Sequence, residues 1–307
     1  MNRPPRVTYV IPSMRMGGTE VQLLHLLRAL GEEFELTLLC TSVEGALIGD
    51  TRRSGAYVRV LNLRGGWDPR QQSRIGHALR VHTPHIVHTF LSGFDFWANR
   101  AARQAGVPVV ISSRRELALW QQGRHRCMQR LANRYADVIV ANSEAVADYA
   151  ARVERTPRAR YRVIYNGIDA PSMKSSLPRA QTLRRYGMPA DCHIIGMVAN
   201  FSPVKDHRLF MDMADILLQR RNDVHFFLVG NGPLLDRIAR LAVRRGQAEH
   251  FNRVSTLGEM PALYGVMDVT VLTSQVEGFP NALAEAMAAE RAVVAPAVGG
   301  IPELIAD

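Results

Sequence analysis

Two glutamates near the end of the sequence, Glu277 and Glu285, flank a short turn, GFPN at 278–281. The run at 269–273 predicts a buried strand before the turn, and Pro and Asn at the end of the turn are typical of a helix start. Such a helix would direct its unpaired N–H groups and positive dipole end at the turn, where phosphate oxygens bind. Because carboxylates repel phosphate, the glutamates suit neutral hydroxyls, such as those of a ribose and a hexose flanking a pyrophosphate. Either glutamate alone is as readily a surface acid.

Lys205 is a candidate cation for the same chemistry. It lies in the segment ANFSPVKDH at 199–207, and it is one of only two lysines beside 36 arginines. In so arginine-rich a chain, an arginine would be expected wherever any cation sufficed. A compact ammonium is better suited than a guanidinium fork to a point contact on a phosphate. The alternative is an ordinary surface lysine at a helix start.

Gly17 and Gly18 follow the first predicted strand and precede the first predicted helix. Paired glycines there leave room for a ligand near a helix N-terminus. The spacing departs from the G-x-G-x-x-G dinucleotide fingerprint and so argues against a nicotinamide-dependent dehydrogenase. Glu44, after the second predicted strand, keeps that alternative open.

Strand-like runs alternate with amphipathic stretches along the whole chain, which predicts βαβ units and parallel sheets. The runs lie at 7–11, 36–40, 58–61, 86–89, 107–111, 138–141 and 163–165, and then at 194–198, 225–229, 269–272 and 292–295. The periodicity lapses after residue 169, in a segment with three prolines. We therefore predict an α/β protein of two doubly wound domains, 1–168 and 191–307, joined by a linker at 169–190. They would face each other across a cleft, with ligands at the carboxyl ends of the strands.

Composition limits the environment in which the protein can work. No apolar run approaches the ~18–20 residues of a membrane span, and the N-terminus passes into a strand without the features of a signal peptide. Three isolated cysteines, Cys40, Cys127 and Cys192, fit a reduced compartment. We expect a cytoplasmic protein.

The formal charge of +10 lies entirely in the first half, since residues 1–170 hold 24 arginines and 14 acids while the remainder is balanced. The stretch 114–134 places six arginines around apolar side chains that include Trp120. This pattern suits a helix on an anionic membrane surface. The alternative is a surface helix packed on the sheet. Nucleic acid is not the expected partner.

The block from Glu277 to Glu285, followed by GGIPE at 299–303, closely resembles the donor site of glycosyltransferase family 4. The resemblance runs from about Val7 to the last residue and is strongest at 196–207 and 274–303. It implies a retaining, sugar-nucleotide-dependent enzyme of the GT-B fold. It also implies that members continue past Glu303, so that the second domain here is incomplete.

The resemblance assigns roles to particular residues. Lys205 and Glu277 would be catalytic, with Glu277 on the transferred sugar and Glu285 on the ribose. The expected donor-binding residues are Gly17, Gly18, Asn200, Gly258, Glu259, Met260, Gly278, Phe279, Pro280, Asn281 and Glu285.

Two positions depart from the family pattern near the chemistry. Arg115 stands where the family commonly has a histidine, and His88, one strand earlier, could reach the same place. Asn200 stands where members often carry an arginine paired with the lysine. The sequence shows no Asp-x-Asp clamp, so we expect neither a metal nor a cofactor.

Together these features predict a retaining glycosyltransferase that moves a sugar from a nucleotide diphosphate to a glycan or lipid-linked acceptor in polysaccharide or lipopolysaccharide synthesis. The alternatives are a sugar-nucleotide epimerase on the same fold and an inactive nucleotide-sugar-binding protein. Glycoside hydrolysis is disfavoured, because its two acids must flank one bond.

Overall fold

The computed structural model describes residues 3–63, 70–90, 95–119, 123–254 and 259–306. The chain divides into two compact units, Met1–Asn166 and Gly167–Asp307. Each unit is built on one parallel sheet covered by helices, so the α/β class predicted from the sequence is confirmed. In the described residues, no helix has the length and apolar character required to cross a bilayer.

The first unit has a seven-stranded sheet in the order β3-β2-β1-β4-β5-β6-β7. Its strands are β1 Arg6–Ile11, β2 Glu35–Cys40, β3 Tyr57–Val60, β4 Ile86–Phe90, β5 Val109–Arg114, β6 Val138–Ala141 and β7 Tyr161–Val163. Its helices are α1 Gly18–Leu30, α2 Ile48–Arg53, α3 Arg70–His82, α4 Asp95–Gln104, α5 Gly123–Asn133 and α6 Glu144–Val153. Strand β1 pairs with both β2 and β4, so the strand order reverses at β1, the position where open α/β sheets bind ligands.

Successive side chains of a strand point to opposite faces of the first sheet, and each face carries its own hydrophobic core. Tyr9 and Ile11 of β1 pack with the apolar side of α1, whereas Val10 between them packs with α3 and α4. Both sets are buried, because helices cover both faces of a parallel sheet. This explains why β1 and β2 are mostly apolar, with a threonine in each, instead of alternating between apolar and polar residues.

The second unit has a five-stranded sheet in the order β10-β9-β8-β11-β12. Its strands are β8 His193–Val198, β9 Val224–Val229, β10 Phe251–Val254, β11 Val269–Val271 and β12 Ala292–Val294. Its helices are α7 Arg179–Arg185, α8 His207–Leu218, α9 Leu235–Arg244, α10 Met260–Val266, α11 Asn281–Ala288 and α12 Ile301–Leu304. The order reverses at β8, which pairs with both β9 and β11.

Two features of the second unit differ from the sequence-based expectation. The segment 169–190, interpreted as a linker, carries a 3-10 turn and helix α7, whose Leu183 is buried in the core of this unit. Its helical period is short and bounded by prolines, which hides it in the sequence. Strand β10 was not predicted, because Asn252 and Arg253 interrupt its apolar residues at the edge of the sheet.

A buried polar network around Arg114 fixes the end of β5. The guanidinium forms ion pairs with Asp95 on α4, at 2.8 Å, and with Glu154 after α6, at 2.7 Å. All three side chains are at most 4% exposed. Asn133 on α5 accepts a hydrogen bond from Arg114 at 2.7 Å and donates one to Glu154, also at 2.7 Å. The network therefore ties β5 to three helices.

The network holds charges that are costly to bury. Burial raises the pKa of Asp95 to about 6, although the nearby Arg114 opposes the rise. The hydroxyl of Tyr161 donates a further hydrogen bond to Glu154 at 2.9 Å. Removing one member of such a buried pair leaves its partner as an uncompensated charge, which is strongly destabilising.

We expect Arg114→Met to lower the free energy of unfolding of the first unit by about 3–5 kcal/mol, because two buried carboxylates lose their cation. Urea unfolding followed by circular dichroism would measure this. Arg126→Met is the matched control: Arg126 is exposed, with no ion pair among the described residues, so its loss should stay within about 0.5 kcal/mol. Equal losses in the two variants would contradict the assignment.

Candidate active site

Lys205 and Glu277 form an ion pair in the second unit. Lys205 ends a 3-10 turn after β8, and Glu277 lies in the loop after β11. The carboxylate of Glu277 is 7% exposed and accepts a second hydrogen bond from the Ser274 hydroxyl at 2.6 Å. The structure thus brings together the two residues that the sequence marked as catalytic.

Backbone contacts between the two loops hold this pair in place. The hydroxyl of Thr273 lies 3.0 Å from the carbonyl oxygens of both Lys205 and Asp206. The N–H of Gln275 donates to the carbonyl of Val204 at 2.9 Å. Strands β8 and β11 are neighbours in the sheet, so both loops leave the same carboxyl edge.

Gly299 allows a third segment to approach Glu277. The N–H of Gly300 donates to the Glu277 carbonyl at 3.2 Å. Gly299 has a φ of +56°, and a Cβ on it would lie 1.9 Å from that carbonyl oxygen. Only glycine fits this position, which explains the first glycine of the Gly299-Gly300 pair.

Helix α11 begins at Asn281, four residues after Glu277. Pro280 at its N-cap provides no side-chain hydrogen bond to the first turn. Gly278 and Phe279, both half-buried, connect Glu277 to this helix end. Glu277 and the positive end of the α11 dipole therefore lie within one short stretch, as the sequence predicted, and the Lys205 ammonium pairs with Glu277 from a second loop.

Glu285 lies one turn into α11, where Tyr264 on α10 contacts it. The Tyr264 hydroxyl is 2.9 Å from a Glu285 carboxylate oxygen and 3.1 Å from the carbonyl of Ala282. Burial raises the pKa of Glu285, and the hydrogen bond from Tyr264 partly offsets this by favouring the ionised form. Tyr264 was not predicted as a site residue, because a tyrosine in a short apolar helix has the sequence pattern of an ordinary core residue.

The remaining donor-site candidates of this unit are more scattered. Glu259 forms an ion pair with Arg185 at 2.7 Å and accepts a hydrogen bond from the Tyr186 hydroxyl at 3.1 Å. Met260 is buried at the start of α10, and Asn200 is exposed after β8. Gly258 lies outside the described residues.

The candidates in the first unit form two groups. Gly17 is the N-cap of α1 and Gly18 its first residue. A Cβ on Gly17 would lie 2.5 Å from the Glu20 carboxylate, whose pKa is raised by burial.

The second group contains His88 on β4, whose Nε2 lies 2.8 Å from the Ser113 hydroxyl. Burial, and secondarily the charge of Arg115, lowers the pKa of His88 to about 3, so this imidazole is neutral at pH 7.

The second unit thus places the Lys205–Glu277 ion pair at the loops that follow β8 and β11, with helix α11 starting four residues after Glu277. The family model for Glycosyltransferase Family 4 matches residues 16–171, and that for Glycosyl transferases group 1 matches residues 192–307. The chain belongs to glycosyltransferase family 4, and it is a glycosyltransferase.

Individual similar proteins agree with this assignment. The 2-deoxystreptamine N-acetyl-D-glucosaminyltransferase of Streptomyces fradiae is 24% identical, over 94% of this chain and 77% of that protein. The structure of Anabaena Alr3699/HepE in complex with UDP and glucose has a TM-score of 0.86 at 20% identity, covering 99% of this chain and 83% of that one. WaaG, a glycosyltransferase involved in lipopolysaccharide biosynthesis, has a TM-score of 0.75 at 15% identity, covering 98% and 84%. These structures share the GT-B fold.

We expect Gly299→Ala to lower both the free energy of unfolding and the affinity for a sugar nucleotide, because the new Cβ displaces the Glu277 backbone. Gly246→Ala is the matched control: Gly246 also has a positive φ, of +67°, but a Cβ there meets nothing within 4 Å. The control should lose only the ~1–2 kcal/mol of backbone strain. Urea unfolding and calorimetric titration would compare them. Equal stability losses with unchanged donor affinity would contradict the role of Gly299.

Proposed function

We propose that this protein is a retaining enzyme that transfers a sugar from a nucleotide diphosphate to a glycan or lipid-linked acceptor. The observation that carries the proposal is the Lys205–Glu277 ion pair beside the N-terminus of α11. Such a site offers cationic and dipolar groups to a diphosphate and a carboxylate to a sugar hydroxyl. The Anabaena neighbour, whose structure is a complex with UDP and glucose, supports a donor of this class.

Breaking the bond between sugar and diphosphate places negative charge on the leaving group. Pre-positioned cations and N–H dipoles stabilise that charge in the transition state. The Lys205 side chain is 24% exposed, and its ammonium pairs with Glu277. In the proposed complex Lys205 donates to a phosphate oxygen, and Glu277 then accepts a hydrogen bond from a hydroxyl of the transferred sugar.

Glu285 is placed to serve the nucleoside half of the donor. Its carboxylate lies one helical turn beyond the Asn281 end of α11, oriented by Tyr264. In the proposed complex it accepts hydrogen bonds from the ribose hydroxyls. With the leaving group stabilised by Lys205 and the helix, we propose that no metal or other cofactor takes part.

We assign the acceptor to cell-surface polysaccharide or lipopolysaccharide synthesis, on the support of the similarity to WaaG. The function as a whole is tested by thermal stabilisation with a panel of sugar nucleotides, because a ligand that binds the folded state raises its apparent stability. The best donor should then yield a product with the donor's anomeric configuration, in the presence of EDTA. Stabilisation by none of the sugar nucleotides, or an inverted product, would contradict the proposal.

The two glutamates should affect different ligands. Glu285→Ala should weaken binding of both UDP and UDP-glucose, because the ribose is common to both. Glu277→Ala should weaken UDP-glucose and leave UDP binding no weaker, because UDP has no transferred sugar. Calorimetric titration of both ligands would measure this, with Glu249→Ala, which removes an 82% exposed carboxylate of the same unit, as the control. If both variants lost the same affinity for UDP and for UDP-glucose, the separate roles proposed for the two glutamates would be contradicted.

We further propose that residues 114–134 bring the enzyme to an anionic membrane surface. The buried face of α5 consists of Gln129, Ala132 and Asn133, so the other side of the helix is turned to solvent. Four exposed arginines, with no ion pair to a described residue, lie along this segment: Arg124, Arg126, Arg130 and Arg134. The interval 123–134 contains no acid.

The apolar side chains of the segment 114–134 differ in their exposure to solvent. Leu119 is 58% exposed, whereas Leu117 packs against the buried cluster around α6. Trp120 lies outside the described residues. The support for membrane binding therefore comes mainly from charge, since each basic residue near an anionic surface contributes about 1 kcal/mol.

We expect the protein to co-sediment with vesicles that contain phosphatidylserine, and less so as salt rises, because the attraction is screened. Neutralising Arg124, Arg126 and Arg130 to Gln should reduce binding at least tenfold. The control replaces three arginines of the second unit, Arg237, Arg240 and Arg244, in the same way. The proposal would be contradicted if vesicle binding did not depend on lipid charge and salt, or if it fell equally in both variants.

A further inference from the structure

A small pocket lies in the first unit at the carboxyl end of β5. Residues from β5, from the start of α1 and from α6 line it, among them Thr19, Ser113, Arg115 and Tyr149. Its volume is about 60 Å³. On this measure one water needs ~10–15 Å³, so the pocket holds one small polar group and not a whole sugar.

Two consecutive arginines at this pocket have opposite electrostatic surroundings. Arg114 points into the network of Asp95 and Glu154, which compensate its charge. Arg115 follows the last residue of β5, and its guanidinium lies 5.7 Å from the centre of the Phe90 ring and hydrogen-bonds to the Asn166 side chain. Among the described residues, no carboxylate forms an ion pair with Arg115, and its Nε is buried without a hydrogen-bond partner.

The acids around the pocket do not neutralise Arg115. The Glu154 carboxylate already accepts hydrogen bonds from Arg114 and Asn133. Glu116 is exposed, so solvent screens its charge. The positive charge of Arg115 is felt by its neighbour His88, whose pKa it lowers in addition to the larger effect of burial. Burial in turn lowers the pKa of Arg115 to about 10.

A largely buried cation without a counter-ion is costly, and an anionic ligand group offsets that cost. We infer that this pocket binds an oxyanion, a carboxylate or a phosphate monoester, carried by the acceptor substrate, with Arg115 as its counter-ion. Thr19 and Ser113 also line this pocket, and the Ser113 hydroxyl lies 2.8 Å from His88 Nε2. This inference rests on the proposed transferase function, and it narrows the acceptor to an acidic or phosphorylated sugar.

The test compares glucose, glucuronate and glucose 6-phosphate as probes in ligand-observed NMR titrations without donor. Wild-type protein should bind at least one anionic probe about tenfold or more tightly than glucose, as expected for a charge-assisted hydrogen bond. Arg115→Gln should abolish this preference, and Arg115→Lys should restore part of it. Arg124→Gln, which removes one exposed arginine of the same unit, should retain the preference.

Three results would overturn the inference. The first is equal binding of the anionic and neutral probes to wild-type protein. The second is an anion preference that survives Arg115→Gln. The third is a preference lost in Lys205→Ala instead, because the oxyanion would then occupy the proposed donor site. UDP titrated separately against wild-type protein tests the transferase proposal itself, so failure of the pocket and failure of the proposed function are distinguishable.

Discussion

The ion pair between Lys205 and Glu277 is the interaction on which the second unit's site depends. It joins the 3-10 turn that follows β8 to the loop that follows β11. The Thr273 hydroxyl donates a hydrogen bond to the Lys205 carbonyl and so joins the two loops. Gly299, which has no side chain, packs closely against the backbone of Glu277. The result is a carboxylate that is almost fully buried yet satisfied by an ammonium and a hydroxyl. Such pre-positioning is what a site that stabilises developing charge requires.

In the proposed donor complex, contacts with the ligand replace the ion pair. The Lys205 ammonium then binds phosphate oxygens, and the Glu277 carboxylate accepts a hydrogen bond from a sugar hydroxyl. On this proposal a nucleoside diphosphate replaces only the contact of Lys205, whereas a sugar nucleotide replaces both contacts. The proposal therefore predicts that the two ligands respond differently to loss of Glu277.

The sequence predicted most of the fold and the centre of this site, for identifiable reasons. Strands such as β1 and β8 are mostly apolar runs, which only a parallel sheet covered on both faces makes favourable. Glu277, Glu285 and Lys205 stand beside turn and helix-start residues, so their local position could be inferred. Tyr264 and Ser274 could not be found, because their roles arise from contacts between segments distant in sequence.

The contrast between Arg114 and Arg115 shows the same limit. In the sequence they are two members of one basic stretch, and Arg115 alone was singled out, through the family resemblance. Both line the pocket, but only Arg114, the last residue of β5, is paired with buried carboxylates. Partners on α4 and after α6 decide the difference, and no local pattern around residue 114 indicates them.

The most direct test of the account is a double-mutant cycle on Lys205 and Glu277, with UDP binding measured by calorimetry. If Glu277 competes with phosphate for the ammonium, Glu277→Gln should increase UDP affinity in the wild-type background. The increase should be smaller in the Lys205→Ala background, where only the repulsion between carboxylate and phosphate is relieved, and the same change should weaken UDP-glucose relative to UDP in both backgrounds. A UDP affinity that Glu277→Gln leaves unchanged in both backgrounds would show that the pair is not coupled to the donor, and would contradict the account.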